Sequence, residues 1–384
     1  MHPSSILSYY PTYSILDEVL SYSDYDTLNL YLDLKNNMQS LYMKHAIVNL
    51  VETTLKSNYI NTAVFESLLS FLSFHKLYAI KRKIDINFYI FFETGRSYYH
   101  TNISKKYKIS RAIDDLYGLE REKRELFTEI VQKNFLLISS ACNLMPNIKV
   151  IRVPNLETDF IPYYLLRNSL VDTNPNVAHI IYSNDHDLYQ CIGDNSYMFC
   201  KSGRKKKIIK KNKVMDEYLK FSNDFPDEYL PLAMAIVGDT GDDVDGVQGI
   251  GQKRVASFLG ELVDLLGGIE KLYDDVFNSQ PIFQFGDSNF KNKYINQIVK
   301  EENERNLISK NLKLVSFELL TRELDDPSST EMVDKREHIL SILSDRRQAR
   351  LESMKKALEM NRVFIDRDIL ETIYFNGGDN VKSE

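Results

Sequence analysis

The chain has 384 residues, 43% of them hydrophobic, which suffices for one large or two modest domains with packed cores. Its net charge of -6 argues against nucleic-acid binding only if the acidic residues are evenly spread, because an acidic cluster would leave basic surface elsewhere. No apolar run reaches membrane-spanning length, and the N-terminus lacks a signal-peptide pattern. The three cysteines, Cys142, Cys191 and Cys200, have no metal-site spacing and are not an even number that could pair fully in disulfides. We therefore expect a non-secreted, cytoplasmic protein.

Four strand-like runs alternate with helical stretches after an irregular beginning. Residues 1–27 are rich in Ser, Tyr and Asp, and we interpret them as an irregular or weakly helical N-terminal extension. The apolar runs that we predict to be strands are residues 28–33, 87–92, 148–153 and 178–182, and helical periodicity occupies residues 38–56 and 63–81. This alternation predicts an α/β fold with a central, mostly parallel sheet flanked by helices.

Acidic residues follow each predicted strand. They are Asp33, Glu93, the pair Glu157 and Asp159, and the pair Asp185 and Asp187. A single acid after a strand is usually an N-cap or a loop residue. In a parallel sheet, however, the carboxyl ends of the strands share one edge, and ligands bind there. Because the acids recur after all the predicted strands, we expect an acidic site at this edge.

Residues 238–245 gather further acidic side chains among glycines. These are Asp239, Asp242, Asp243 and Asp245. Carboxylates so crowded repel one another unless cations hold them, and hard oxygen ligands in such number suit Mg²⁺ or Mn²⁺. The stretch therefore predicts part of a divalent-metal site, although a calcium loop would explain this half of the pattern equally well.

A glycine-rich turn follows directly and is succeeded by two cations. The residues concerned are Gly246, Gly249, Gly251, Lys253 and Arg254. Glycines allow tight turns that leave successive backbone N–H groups facing outward, and we predict that a helix begins at Gln252. Outward amides, a helix start and flanking cations together predict a phosphate-binding segment. An ordinary turn before a helix explains this half but not the acidic half.

The acidic stretch and the glycine turn, in this fixed register, resemble the helix–three-turn–helix signature of the 5′ nuclease family. This family comprises flap endonucleases, the 5′ nuclease domains of bacterial DNA polymerases, bacteriophage-type 5′-3′ exonucleases and phage ribonuclease H. The strand-end acids resemble the family's metal-ligand motifs, and the resemblance covers about residues 28–320. Three positions depart from the pattern: Asp243 replaces the usual Asn, Glu93 replaces Asp, and Phe160 replaces the last acid of Glu-Ala-Asp-Asp.

The resemblance implies a two-metal site for Mg²⁺ or Mn²⁺, in which the ions activate water and relieve charge on the leaving oxygen. The implied ligands of one ion are Asp33, Glu93, Glu157 and Asp159, and those of the other are Asp185, Asp187 and Asp239, with Asp242 in its outer shell. The direct ligands, together with Arg96 at the position of a family lysine, are the implied catalytic residues. A K⁺ ion is also implied at the turn of residues 246–251.

The resemblance further implies that DNA passes a helical arch at about residues 94–134 and binds the glycine turn. The implied DNA-binding residues are Arg96, Lys108 and Arg111 of the arch, Gly246, Gly249, Gly251, Lys253 and Arg254 of the turn, and Lys205 and Lys206 of a basic run at residues 201–213. A hairpin turn at Ser202-Gly203 is predicted within that run, for which a solvated surface is an equally good explanation. Tyr98, Tyr99 and Tyr107 of the arch are candidates for stacking on an unpaired base.

The predicted organisation has four parts. They are an N-terminal extension (residues 1–27), an α/β nuclease core with the arch (28–213), a helix–three-turn–helix DNA-binding region (214–320) and a helical C-terminal extension (321–384). The resemblance stops before the last part, so the sequence gives that part no function.

These features imply a structure-specific hydrolase of DNA phosphodiesters, with 5′ flap endonuclease and 5′-3′ exonuclease activities and removal of RNA primers in DNA replication or repair. Its implied partners are branched or flapped DNA, RNA–DNA primer junctions and a replication protein that contacts the termini. We expect a monomer in the cytoplasm of a bacterial host, without a membrane partner. Two alternatives stay open: a branched-DNA-binding protein weakened in catalysis by the changes at positions 93 and 160, and a related endoribonuclease on a similar acidic sheet.

Overall fold

A six-stranded sheet lies at the centre of the computed structural model, which describes residues 13–34, 63–92, 95, 97–108, 135–202, 205–221, 224–283, 290–345, 351–360 and 367–374. The strands are β1 (Thr27–Asp33), β2 (Asp85–Phe91), β3 (Ile148–Ile151), β4 (Val177–Tyr182), β5 (Ser196–Ser202) and β6 (Lys205–Ile209). Their order is β3-β2-β1-β4-β5-β6, and only β6 runs antiparallel to its neighbour. The predicted α/β fold with a mostly parallel sheet is confirmed.

Helices precede, separate and follow these strands. The α-helices are α1 (Tyr13–Leu20), α2 (Ala63–Arg82), α3 (Tyr98–Ile103), α4 (Ile161–Arg167), α5 (Val214–Leu219), α6 (Leu230–Val237), α7 (Gln252–Val255), α8 (Leu259–Leu266), α9 (Ile269–Phe277), α10 (Lys293–Arg305), α11 (Leu307–Val315), α12 (Phe317–Asp325), α13 (Thr330–Ser344), α14 (Leu351–Met360) and α15 (Arg367–Tyr374). Residues 135–142 are also helical, and a 3₁₀ helix spans His186–Cys191. Within the described ranges, no helix combines the length and apolarity needed to span a membrane.

The central strands β1 and β4 are buried on both faces, which explains why they are predominantly apolar. In β1, Leu30 belongs to a core cluster on one face and the neighbouring Tyr31 to a second cluster on the other face. The Leu30 cluster also contains residues of α1, α2, α14 and α15, whereas the Tyr31 cluster contains residues of α4 to α13. Neighbouring residues of β1 therefore contribute to different cores.

The N-terminal segment contains more structure than its composition indicates. Helix α1 buries Leu16 and Val19 in the core cluster of Leu30. Its Asp17 accepts hydrogen bonds from Tyr78 at 2.7 Å and from Arg82 at 2.5 Å, and both donors lie on α2. The described part of the predicted N-terminal extension is therefore packed against the core.

The predicted secondary structure agrees with the observed elements in several further places. The periodicity of residues 63–81 corresponds to α2, and β5 and β6 flank the predicted hairpin turn. A helix begins at Gln252, as the glycine turn predicts. The predicted helix at 38–56 lies outside the described residues, and the division into four parts stays a prediction.

Candidate functional site

The carboxyl ends of the parallel strands bring acidic residues to one edge of the sheet. Asp33 is the last residue of β1, Glu157 and Asp159 closely follow β3, and Asp185 closely follows β4. The chain order of the strands reverses between β1 and β4. In α/β sheets this reversal opens a crevice outside the strand ends, where ligands bind. The fold thus places the acids where a ligand site is expected.

The turn after β4 holds two of these acids in a fixed relation. The Ser183 hydroxyl accepts a hydrogen bond from the Asp185 N–H at 3.1 Å. Asp185 in turn caps the 3₁₀ helix His186–Cys191, because its Oδ1 accepts from the Asp187 N–H at 3.2 Å. These bonds orient the Asp185 carboxylate and fix the backbone from which the Asp187 side chain extends.

The loop of residues 238–246 is closed tightly at its base. The Asp239 N–H donates to the Val244 carbonyl at 2.9 Å, and the Val244 N–H donates back at 2.8 Å. Gly238 and Gly246 pass so close to each other that a Cβ on either glycine would overlap backbone atoms of the opposite strand of the loop. Both positions therefore require glycine, and the closure turns the intervening acids back toward the sheet edge.

Asp243 has a positive φ of 57°, which only glycine, asparagine and aspartate adopt readily. This geometry explains why Asp replaces the usual Asn without disturbing the loop. The neighbouring Asp242 N–H donates to the Asp239 carbonyl at 3.2 Å, and the Gly241 N–H donates to Asp239 Oδ1 at 2.7 Å. The loop therefore orients Asp239 and Asp242 through its own backbone.

Three carboxylates meet at this edge. Asp187, Asp239 and Asp242 each offer an oxygen that lies within 4.8 Å of those of the other two. Burial raises the pKa of Asp187 well above its usual value, and the charges of Asp185, Asp159, Asp242 and Asp239 raise it further. A bound cation would relieve this repulsion, and a set of hard oxygen donors fits Mg²⁺ or Mn²⁺. Asp242 lies among the donors here, whereas the resemblance implies an outer-shell position.

A second part of the site surrounds Glu157. Tyr107 Oη donates to Glu157 Oε2 at 3.0 Å and lies 3.2 Å from Asp242 Oδ2. The Lys108 ammonium donates to Glu157 Oε1 and lies 3.4 Å from Asp242 Oδ2. Burial alone would raise the pKa of Glu157, but the charges of Lys108 and His100 and the hydrogen bonds outweigh it and hold this pKa at about 2. Glu157 therefore stays ionised at neutral pH.

The Tyr107 side chain is shielded from solvent and contacts the carboxylates of the site. It is 4% exposed, and its ring stacks on His100 with the centroids 4.8 Å apart. The Lys108 N–H also donates to the Asp242 carbonyl at 3.0 Å. The suggested stacking of Tyr107 on an unpaired base is therefore wrong. Sequence analysis missed its actual role because the partners lie far away in the chain.

The Phe160 side chain points into the core. It is fully buried and packs against Tyr164 and Phe317, at ring-centroid distances of 5.9 and 6.5 Å. The neighbouring Asp159 keeps its charge near the cluster, since it contributes to the raised pKa of Asp187. The loss of an acid at position 160 thus leaves Asp159 in place. Glu93, Arg96 and Arg111 lie outside the described residues.

The glycine turn presents backbone and cations to the solvent. Its anchors, Val247 and Ile250, are buried, whereas Gly249, Gly251, Lys253 and Arg254 are exposed. Gly249 has a φ of 74°, and its carbonyl accepts a hydrogen bond from the Arg254 guanidinium. Helix α7 is a single turn, and the helix–three-turn–helix motif stays a prediction.

The residues predicted to bind DNA differ in exposure and in their distance from the acidic edge of the sheet. Gly246 is half-buried and closes the acidic loop, so its position is explained by packing. Lys206 lies opposite Lys201 in the β5–β6 pair, at the end of the hairpin that shares the carboxyl edge of β4 and β5. Lys205 begins β6 at the same end. The basic hairpin is therefore on the acidic edge of the sheet.

Comparison with known proteins supports the fold. No protein-family model and no curated protein matches the sequence. Similar crystal structures include the D15 protein of bacteriophage T5 with metal ions and the T5 D15 flap endonuclease with DNA and metal ions, each with 19% identity and a TM-score of 0.54. A T5 5′-exonuclease with zinc ions has 20% identity and a TM-score of 0.51. Each alignment covers 83% of this chain and 100% of the other chain, so the fold is that of these phage nucleases.

Proposed function

We propose that this protein is a divalent-metal-dependent 5′ nuclease of the flap endonuclease type. It hydrolyses DNA phosphodiesters near junctions of single and double strands, acts as a 5′-3′ exonuclease, and removes RNA primers in replication or repair. The observation that carries this proposal is the carboxylate cluster of Asp187, Asp239 and Asp242 at the strand-end crevice. The fold shared with the metal-containing T5 nucleases supports it.

The donor set favours two Mg²⁺ or Mn²⁺ ions. Asp187, Asp239 and Asp242 would hold one ion, and the ionised Glu157, which shares the Tyr107 hydroxyl and the Lys108 ammonium with Asp242, would contribute to a second. When bound, such ions supply an activated water and relief of negative charge at the phosphate. The carboxylates hold the ions and repel any anion that arrives without them, which makes activity strictly dependent on metal.

Among the described residues, Lys108 brings positive charge to the crevice. Its ammonium lies between Glu157 and Asp242, and the Tyr107 hydroxyl lies beside the same two carboxylates. A phosphate that enters the crevice therefore meets a lysine as well as acids. Lys108 orients the phosphate, while Tyr107 keeps the carboxylates in place.

The protein binds the DNA duplex through its phosphate backbone and without sequence specificity. The exposed glycine turn with Lys253 and Arg254 would contact one strand, with K⁺ at the turn. The basic hairpin with Lys205 and Lys206 would contact phosphates on the same edge of the sheet as the acids. Arg96 and Arg111 would guide the free 5′ strand.

Cleavage of a 5′-labelled DNA flap tests the proposal. We expect Mg²⁺- or Mn²⁺-dependent cutting near the junction by the wild-type protein. Asp187→Asn should abolish cutting while flap binding persists, and the control Asp194→Asn should cut normally because Asp194 is exposed and pairs only with Lys211 among the described residues. Tight flap binding without cutting in either metal would instead identify a branched-DNA-binding protein. Preferential cutting of single-stranded RNA would identify an endoribonuclease.

A further inference from the structure

Helix α13 lies along β3 and the segment that follows it, and hydrogen bonds join the helix to both. The Lys149 ammonium donates to the carbonyls of Ile342, at 3.2 Å, and of Asp345. The His338 Nε2 donates to the Arg152 carbonyl at 3.0 Å, and the Lys335 ammonium donates to the Asn155 carbonyl at 3.4 Å. The contacts on the helix side recur at helical spacing, so they lie on one face of α13. The helix therefore runs antiparallel to β3 and to the segment that follows it, and contacts them at three successive points, of which Lys149 is in the strand.

Asn155 is the last of these points and joins three segments. Its carbonyl accepts hydrogen bonds from the Lys335 ammonium and from the Tyr98 N–H, the latter at 3.2 Å. Asn155 itself has a φ of 56°, and a Cβ on Gly95 would lie 2.6 Å from its Oδ1. The segment before Glu157, the start of α3 and the C-terminal helix α13 thus share one fixed residue.

Lys335 is built into this junction. The residue is 8% exposed, and its ammonium pairs with Glu331 and lies 5.8 Å from the centroid of the Tyr98 ring. The apolar neighbours Met332 and Ile339 on α13 are also buried. A lysine is seldom buried without specific partners, so its position here is determined by the carbonyl, the carboxylate and the ring that it contacts.

A single residue, Leu156, separates this junction from Glu157, and it is fully buried. Glu157 is therefore held twice: Tyr107 and Lys108 hold the carboxylate, and the junction at Asn155 holds the backbone. We propose that Lys335 is a positioning residue that fixes the backbone of Glu157 and so sets the affinity of the site for its metal ions. This inference rests on the proposed function.

Binding of Mn²⁺ measured by calorimetry tests the inference independently of cleavage. Lys335→Met keeps the buried stem of the side chain and removes the ammonium, and Lys335→Arg restores a cation. We expect Lys335→Met to weaken binding of the second Mn²⁺ ion, the one assigned to Glu157, about tenfold, which is the lower end of the cost of losing a group that orients a metal ligand, and Lys335→Arg to recover most of the affinity. The control Lys300→Met removes an ammonium that is 70% exposed on α10 and should leave binding unchanged.

Cleavage of a DNA flap gives the second readout. Lys335→Met should raise the Mg²⁺ concentration for half-maximal rate by a similar factor without changing the KM for DNA. If Lys335→Met fails to fold by circular dichroism, Lys335→Gln takes its place under the same criteria. Mn²⁺ affinity within twofold of wild type in the folded variant, or absence of Mn²⁺ binding by the wild type, overturns the inference. A wild type that binds Mn²⁺ but does not cut refutes the proposed function alone.

Discussion

Replacement of Asp187 by Asn should stabilise the metal-free protein and remove the stabilisation that Mg²⁺ gives to the wild type. Asp187 shares the cluster with Asp239 and Asp242, with oxygens within 4.8 Å of one another. At an effective dielectric constant of about 20, two charges at this distance repel by about 3 kcal/mol. Because Asp187 can take up a proton and so escape part of this repulsion, we expect a net gain of about 1–2 kcal/mol from the isosteric, neutral Asn.

Differential scanning fluorimetry after chelation measures the first effect. For a chain of 384 residues, a gain of this size should raise the apparent Tm by about 1–3 °C. Titration with Mg²⁺ should raise the Tm of the wild type, since a ligand that binds only the folded state stabilises it. The same titration should leave the Tm of Asp187→Asn nearly unchanged. The variant should therefore have the higher Tm without metal, and the wild type the higher Tm at saturating metal.

The pH dependence provides an internal check on this prediction. Because the pKa of Asp187 is raised in the folded state, the folded protein binds its proton more tightly than the unfolded chain does. The metal-free wild type should therefore become more stable as pH falls through the raised pKa toward the usual value of about 4. Asp187→Asn should lose this gain. A lower metal-free Tm for the variant, or a metal response equal to that of the wild type, would refute the reasoning.

Three further changes test other parts of the site. Gly246→Ala should destabilise the fold by about 2–4 kcal/mol in chemical denaturation, because its Cβ overlaps backbone; an unchanged midpoint would contradict the close packing. Tyr107→Phe should slow flap cleavage about tenfold without lowering the Tm, because Glu157 and Asp242 lose one donor. Lys253→Ala should weaken flap binding and reduce its salt dependence by about one counterion, with metal binding unaffected.

The sheet and its acidic edge are the parts that local sequence pattern predicts well. Strands buried on both faces are predominantly apolar, and the predicted strands 28–33 and 178–182 match β1 and β4 within a residue. The position of acids after such runs then follows from topology alone. Helix α1 is harder to predict, because it is short and contributes only Leu16 and Val19 as buried residues.

The detailed geometry of the site depends on contacts between distant segments, which sequence pattern does not reveal. Tyr107 is polar at one end and aromatic at the other, so it is equally suited to a surface or to a buried hydrogen bond. Its burial is decided by Glu157 and Asp242, which come from other segments of the chain. The position of Asp242 among the donors likewise depends on the closure of its loop at Gly238 and Gly246.

The two halves of the crevice differ in how their charge is balanced. Glu157 has a cation and a hydroxyl donor beside it, and its pKa is held at about 2. Asp187 faces other carboxylates, and its pKa is raised instead. The protein therefore compensates Glu157, and in part Asp242, with its own side chains, whereas the repulsion at Asp187 would be relieved by a bound cation. Because the Glu157 carboxylate is already paired with the Lys108 ammonium, we expect the cluster of Asp187, Asp239 and Asp242 to take up a cation before Glu157 does.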